Sequence, residues 1–445
     1  MNINIPENVG YILNKLHNAG YEAYIVGGSV RDALLNLPPK DFDITTNAEP
    51  SEVKSIFPKT FDTGLKHGTV TVRYNHESYE VTTYRVDGAY EDHRRPKEVT
   101  FTKSLAEDLL RRDFTINAMA YNEEEGLIDM HGGLEDLNNR VIRAVGDARK
   151  RFDEDALRIL RAMRFAGQLS FDIEDETLQA MKEKAFLLKD ISAERIREEL
   201  TKLLISDNPE LLANVGYKLG ITKIILPEFD RMLETTQENP HHCYDVGTHS
   251  LVAVKNIEAD DTLRWIMLLH DVGKPEVKTM DENGTCHFYR HAEVGTDIAV
   301  AIFRRLRFDN DTIRKAKTLI FYHDYNWGDK VSDRVIRRAA SRVGVDNMRD
   351  LFKVHRADVL AQSDLLREEK LSLLDGICKR FEELINEGQA MSLKDLAING
   401  NDLIKLGFKP GPEIGETLNS LFEEVLENPE LNTREKLLER LNYVS

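Results

Sequence analysis

The stretch "YIVGGSVRDALLNLPPKDFDITT", residues 24–46, sets two glycines and an arginine just ahead of two aspartates spaced two residues apart. Alternate residues of a strand point to the same face, so Asp41 and Asp43 project together while Phe42 turns toward the core. Two carboxylates side by side repel unless a cation lies between them. Hard oxygen ligands that leave room for substrate phosphates suit Mg2+. The Gly27-Gly28 turn allows a close backbone approach with N–H groups facing phosphate oxygens, and Arg31 adds a forked cationic donor matched to phosphate. The expectation is a nucleoside triphosphate held by Gly28 and Arg31, its reacting phosphate bridged by Mg2+ to Asp41 and Asp43. Taken alone, the D-x-D spacing also fits an exposed pair at the start of a strand; the joint pattern carries the reading.

Working outward, residues 5–20 have the apolar spacing of a helix, and the runs "EAYIVGG", "DFDITT", "GTVTVRY", "YEVTTYR" and "KEVTFT" have the β-branched character of strands. From about Phe152 onward helical periodicity takes over. The fold class is therefore α+β: a small mixed β-sheet head followed by a mainly α-helical body. At 445 residues the chain is too long for one core. Breaks are expected near Gly146, across Pro227 to Asp245, and near "INEGQAMS" before Ser392.

Composition sets bounds. The net charge of −17 opposes broad affinity for nucleic acid, which rests on Lys and Arg meeting phosphates, yet basic clusters stand at Asp92–Lys97, Leu109–Asp113 and Arg158–Arg164. An anionic partner should bind there. No apolar run approaches the ~18 residues of a membrane span, and the N-terminus lacks a signal-peptide pattern, so no membrane is expected. Cys243, Cys286 and Cys378 have no disulfide or metal spacing, which fits a reducing cytoplasm.

In "DEDALRILRAMRF" Asp155, Arg158 and Arg161 recur every three residues, which predicts a polar stripe on one helix face. Cytosine and adenine each present an amino donor beside a ring-nitrogen acceptor, whereas uracil and guanine present the reverse. A carboxylate beside a guanidinium complements the first pattern and opposes the second. The same spacing alone also fits a surface ion pair within a helix.

These motifs together resemble the class II tRNA nucleotidyltransferase and bacterial poly(A) polymerase family: "GGSVRDALLNLPPKDFDITT", "DHRRPKEVTFTKSLAEDLLRRDFTINAMAYN", "RFDEDALRILRAMRFAGQ" and "ISAERIREELTKLL" follow in order from about residue 20 to 205. The resemblance implies a nucleotidyltransferase head and assigns Arg112, Asp155, Arg158, Arg161 and Arg164 to nucleotide binding. It leaves Asp113 to orient Arg112 and Glu80 as a third carboxylate near the metal. It links the polar stretch "VDGAYEDHRRP", expected to be mobile, to the change from adding C to adding A. The implied chemistry is in-line attack of an RNA 3′-hydroxyl on the α-phosphate of CTP or ATP.

Past residue 240, His249, the pair His270-Asp271, His291, His323 and Asp358 resemble the HD phosphohydrolase pattern. The resemblance implies one divalent ion (Ni, Mn, Fe or Mg) on His249, His270, Asp271 and Asp358, with His291 and His323 completing a second, and Lys274 assisting with phosphate. The tail, residues 386–445, resembles the C-terminal domain of bacterial CCA-adding enzymes with a long helical body, which implies RNA contacts by Lys405 and Lys409. The expected organisation is a head at 1–150, then an elongated helical body made of a neck at 151–235, an HD-type domain at 236–385 and a tail at 386–445. The expected function is addition of C, C and A to a tRNA 3′ end. The rivals are a poly(A) or partial CC- or A-adding polymerase with the same head, and an HD phosphohydrolase whose head only binds nucleotide.

Overall fold

The structure is a computed structural model that describes residues 3–39, 41–88, 90–91, 95–96, 99–238, 243–328 and 331–442. It forms two compact units, residues 1–227 and 228–445.

The first unit opens with α1 (Glu7–Asn18), whose Val9, Ile12, Leu13 and Leu16 recur at helical spacing and are buried. The strands follow as β1 (Ala23–Val26), β2 (Asp43–Thr46), β3 (Thr60–Gly64), β4 (Thr69–Tyr74), β5 (Glu77–Thr83), β6 (Arg85–Asp87), β7 (Tyr90–Glu91), β8 (Arg95–Pro96), β9 (Val99–Phe101), β10 (Met119–Asn122) and β11 (Gly126–Asp129). Seven of them make one sheet in the order β11-β10-β1-β2-β5-β4-β3. Its pairings are antiparallel except β2 against β5, so the sheet is mixed, as expected. β1 is buried along its whole length, and Tyr24, Val26, Tyr84, Leu105, Leu109 and Ala120 form a core on one side of the sheet. β6 pairs with β9 and β7 with β8; the stretch expected to be mobile falls here and lies partly outside the described residues. The basic cluster at Asp92–Lys97 likewise lies mostly outside them.

The helices of this unit are α2 (Gly28–Leu34), α3 (Pro50–Ile56), α4 (Leu105–Leu110), α5 (Gly133–Asn139), α6 (Ala148–Glu154), α7 (Leu157–Leu169), α8 (Asp175–Lys184), α9 (Ala193–Leu204) and α10 (Thr222–Ile225). α7 packs against α9, and α6 against α8.

In the second unit α11 (Pro227–Leu233) leads into α12 (Val246–Asn256), α13 (Asp261–Leu269), α14 (Lys274–Val277), α15 (His291–Arg305), α16 (Asn310–Tyr322), α17 (Asp333–Val343), α18 (Val345–Ala361) and α19 (Arg367–Asn386). α20 (Gly400–Lys405), α21 (Pro412–Glu427) and α22 (Arg434–Asn442) follow. α12 and α13 both pack on α18, and α15 on α16. Leu403, Leu421, Phe422, Val425, Leu426 and Leu437 form a separate core in the tail, with Leu418 at its edge, so that Leu421, Phe422, Val425 and Leu426 make one apolar face of α21. Among the described residues no helix is long and apolar enough to cross a membrane.

Candidate active site and metal centre

The head site is built on the junction of β1, β2 and β5. Ile44 lies beside Val81 in the parallel register, so the preceding residues, Asp43 and Glu80, are neighbours on adjacent strands. Asp43 also pairs with Val26, the residue before the Gly27-Gly28 turn. Asp41, Asp43 and Glu80 together line a cleft of about 800 Å³ whose other walls include Pro6, Thr71 and Tyr79. Burial in the cleft raises the pKa of Asp43, with the charge of Asp41 adding to the rise and Arg112 opposing it. Burial raises Glu80 as well, reinforced by Asp43 and Asp41. Three acidic side chains lining one cleft, two of them with raised pKa values, are suited to a shared cation. Their oxygens are not gathered to the spacing of a single ion: the metal-sized groups among the described residues all lie in the second unit.

Gly27 has φ +78°, in the left-handed region, and a Cβ there would stand 3.1 Å from Arg112 Nη1. The glycine thus lets the Arg112 guanidinium approach the turn. Arg112 Nη2 donates to Asp108 Oδ2 at 3.4 Å, while its Nε is buried with no hydrogen-bond partner. Burial lowers its pKa, with Asp108 and Asp43 opposing that shift and Arg111 adding to it. Arg31 donates to Asn117 Oδ1 at 2.7 Å and, through Nε and Nη2, to Asp32 Oδ1 at 2.8 and 2.7 Å. Its guanidinium lies 5.1 Å from the Phe165 ring, over which Arg161 and Arg164 also lie, at 5.3 and 3.9 Å. Phe165 therefore gathers three cations against one aromatic ring.

Asp113 turns to Arg161, whose Nε and Nη2 donate to Asp113 Oδ2 at 2.8 and 2.5 Å. Burial alone would raise its pKa, but Arg161 holds it well below the ordinary carboxylate range. The sequence expectation that Asp113 orients Arg112 meets a different partner here. Arg164 donates to Glu199 Oε2 at 2.5 Å.

The single helical stripe expected for Asp155, Arg158 and Arg161 is broken. α6 ends at Glu154, α7 begins at Leu157, and Asp155 between them is extended at φ −141°, ψ 102°. Its Oδ1 accepts the Leu157 N–H at 3.1 Å, a local side-chain bond of the kind that competes with continuing a helix. Asp155 and Arg158 are joined by a backbone hydrogen bond, Arg158 N–H to the Asp155 carbonyl at 3.0 Å, while their side chains turn to other partners. Arg158 donates to Glu154 Oε2 at 2.8 Å and to the carbonyls of Arg151 and Arg111 at 3.1 and 2.7 Å. Asp155 is held instead by Arg195 of α9, at 3.3 and 2.7 Å. Asp108, Asn117, Glu154, Phe165 and Arg195 were not singled out by sequence reasoning, although each stands within or close to a motif that was.

In the second unit six side chains converge from five helices or helix ends: His249 on α12, His270 and Asp271 after α13, His291 at the start of α15, His323 after α16 and Asp358 on α18. Asp245 caps α12 by accepting the Thr248 N–H at 2.8 Å, which fixes the turn that carries His249. The Nδ1 atoms of His249, His270, His291 and His323 lie 3.2, 2.7, 2.8 and 2.7 Å from the carbonyls of Ala361, Met267, Phe288 and Ile320. A carbonyl only accepts, so Nδ1 carries the proton in each ring and Nε2 is turned inward as a potential ligand.

The carboxylate of Asp271 divides these groups. Its Oδ2 lies 3.6 and 3.2 Å from Nε2 of His249 and His270, and its Oδ1 lies 3.5 and 3.4 Å from Nε2 of His291 and His323. Asp358 Oδ1 reaches His249 Nε2 at 2.8 Å and His270 Nε2 at 3.5 Å. His249 Nε2 and Asp358 Oδ1 form a hydrogen bond, whereas the contacts of His270 Nε2 and of the Asp271 oxygens with the surrounding rings are close but poorly aligned for one. His291 Nε2 and His323 Nε2 face each other at 3.2 Å. Burial disfavours a charge on His270, yet Asp271 and Asp358 outweigh it and lift its pKa to about 10. Inward-facing imidazoles around two carboxylates fit a divalent cation, which would displace that proton. Lys274 is committed locally: its Nζ lies 2.7 Å from Asp271 Oδ2 and donates to Gln237 Oε1 at 2.8 Å. A cleft of about 340 Å³, lined in part by Tyr289, Arg290 and Gln362, opens onto the group. Lys405 and Lys409 are exposed in the tail.

Comparison with known proteins agrees with this architecture. Residues 23–143 match the poly A polymerase head domain, residues 170–233 the probable RNA and SrmB-binding site of polymerase A, and residues 291–441 the putative domain 2 of tRNA nucleotidyltransferase. The chain is 36% identical to a CCA-adding enzyme of Lactobacillus helveticus over 97% of its own length and 96% of that protein. It is also 36% identical to one of Streptococcus thermophilus, over 96% and 94%. The solved Bacillus stearothermophilus CCA-adding enzyme in complex with CTP superposes with a TM-score of 0.70 at 29% identity, covering 98% of each chain. The Thermotoga maritima CCA-adding enzyme, solved with tRNA, shares the fold with a TM-score of 0.58 at 22% identity. Head and helical body define a template-independent nucleotidyltransferase, and the chain belongs to the CCA-adding enzyme family. Nucleotidyltransferases of this family use a divalent metal.

Proposed function

We propose that the chain adds C, C and A to the 3′ end of tRNA from CTP and ATP, without a nucleic-acid template. The observation that carries this reading is the strand register that sets Glu80 beside Asp43, in one cleft with Asp41 and next to the glycine turn. Asp41 and Asp43, with Glu80, would hold Mg2+; when bound, the ion lowers the pKa of the attacking 3′-hydroxyl and neutralises charge that develops on the α-phosphate. Gly28, Arg31 and Arg112 bind the triphosphate, and the pyrophosphate departs in line with attack. Asp155 and Arg158 read the base edge, while Arg161 and Arg164 support the nucleotide over Phe165. Residues 1–150 act as the head, 151–235 as the neck, 236–385 as the metal-bearing helical part and 386–445 as the tail, where Lys405 and Lys409 contact RNA.

The test is transfer to tRNA lacking its 3′ end, offered CTP, ATP or both. CC followed by a single A supports the reading, and A alone or long A tracts overturn it.

A second activity is favoured by the six converging side chains in the other unit. His249, His270, Asp271 and Asp358 would hold one divalent ion (Ni, Mn, Fe or Mg), and His291 with His323 a second. The chemistry such a centre supports is hydrolysis of phosphomonoesters or 2′,3′-cyclic phosphates. Hydrolysis lost in Asp271→Ala and kept in Asp41→Asn is the expected result; hydrolysis unchanged in Asp271→Ala rules the centre out.

A further inference from the structure

Because Asp155 lies in the break between α6 and α7, no helix fixes where its side chain points. Its orientation is set by three donors. The Leu157 N–H and Arg195 Nη1 both donate to Oδ1, at 3.1 and 3.3 Å, and Arg195 Nη2 donates to Oδ2 at 2.7 Å. A carboxylate offers about four lone-pair sites. Two donors fill Oδ1 and one occupies Oδ2, so a single acceptor site remains, on Oδ2. Arg158 is fixed in a complementary state. Its Nη1 serves both Glu154 and the Arg151 carbonyl, and its Nη2 serves the Arg111 carbonyl, which leaves N–H donors over.

We infer that Arg195 is a specificity-determining positioning residue: its two-pronged hold on Asp155 leaves that carboxylate one oriented acceptor, enough for the single exocyclic amino group of cytosine or adenine. The inference rests on the reading that Asp155 and Arg158 recognise the base. Freed from Arg195, the Asp155 carboxylate can rotate and accept from other directions, so an amino group loses its fixed partner. A planar, forked guanidinium is needed for this hold, and a lysine ammonium supplies one point contact in its place. Arg195 is partly buried, with 26% of its side chain exposed against 18% for Asp155, so the pair is sheltered without being sealed.

The experiment measures single-turnover kcat/KM for CTP, ATP, UTP and GTP on tRNA lacking its 3′ end, with wild type, Arg195→Gln, Arg195→Lys and Asp155→Asn, alongside thermal melting of each. Arg195→Gln is expected to lower the preference for CTP and ATP over UTP and GTP by about tenfold or more, the effect of one misaligned hydrogen bond, with partial recovery in Arg195→Lys. An equal fall for all four nucleotides, or an unchanged preference, while Asp155→Asn scrambles selection, overturns the role of Arg195 and leaves base reading by Asp155 standing. An unchanged preference in Asp155→Asn overturns both.

Discussion

Asp108 and Asp113, five residues apart, do the quiet work of the head site. Asp108 is fully buried and accepts from Arg111 at 3.0 and 2.7 Å, from Arg112 at 3.4 Å and from the Arg85 backbone N–H at 3.4 Å. It thereby ties the guanidinium beside Gly27 to the start of β6. Asp113 does the same for Arg161 and, through Oδ1, accepts the Phe114 N–H at 2.8 Å and the Asn117 side-chain amide at 3.2 Å. Since Arg161 depresses its pKa, Asp113 contributes stability that is present above the unfolded-state value of ~3.9 and is lost as pH falls toward the folded-state value. Asp113→Asn should therefore cost about 2 kcal/mol at neutral pH, less than the roughly 3–5 kcal/mol of a sealed pair because Arg161 keeps 33% of its side chain exposed. The melting temperature of the variant should also fall less steeply than that of wild type from about pH 5 downward. Equal slopes, measured by calorimetry, would remove Asp113 as a source of acid sensitivity.

At the scale of elements, the candidate metal centre of the second unit depends on how closely two helices approach. A Cβ on Gly273 would run into the His291 carbonyl and the backbone of Gly295, whose Cα it would meet at 2.8 Å. The glycine in "HDVGK" thus brings the start of α15, with His291, down onto His270-Asp271. Gly273→Ala should push α15 away and lower the metal content of the purified protein by about one ion per chain, while tRNA extension is retained; full metal content by mass spectrometry would contradict this. The same scale shows what the sequence disclosed. β1, β2, β4, β5 and β9 fall on the β-branched runs, because each packs such residues on a pleated face. β10, "MAYN", has no β-branched residue and is a strand because it lies between β1 and β11; its burial is tertiary information. The break at Asp155 was hidden for another reason. Three-residue spacing fits a helix, whereas the break is accompanied by a local carboxylate bond to the Leu157 N–H and by the hold of Arg195 on the same carboxylate. Arg195 was out of reach, since its partner lies 40 residues earlier in the chain.

On the scale of the whole molecule, two compact units each hold a set of acidic or imidazole side chains suited to divalent ions, one set in a mixed sheet and one among helices. The order of motifs in the sequence disclosed both sets, because each aspartate and histidine stands inside a recognisable local pattern. It did not disclose how their oxygens and nitrogens are spaced. Asp41, Asp43 and Glu80 share a cleft without closing to the separation of one ion, whereas His249, His270, Asp271, His323 and Asp358 of the second unit are gathered to that spacing in two groups. The imidazole rings of the second unit are fixed from behind by carbonyls on Nδ1, which turns their Nε2 atoms inward. The central claim is that Asp41 and Asp43 carry nucleotidyl transfer. It is tested most directly by single-turnover extension of tRNA lacking its 3′ end with Asp41→Asn and Asp43→Asn, each shown to bind CTP and to melt as wild type does. The account predicts a loss of about a thousandfold or more in the rate of both C and A addition with CTP binding retained; extension within tenfold of wild type by either variant would contradict it.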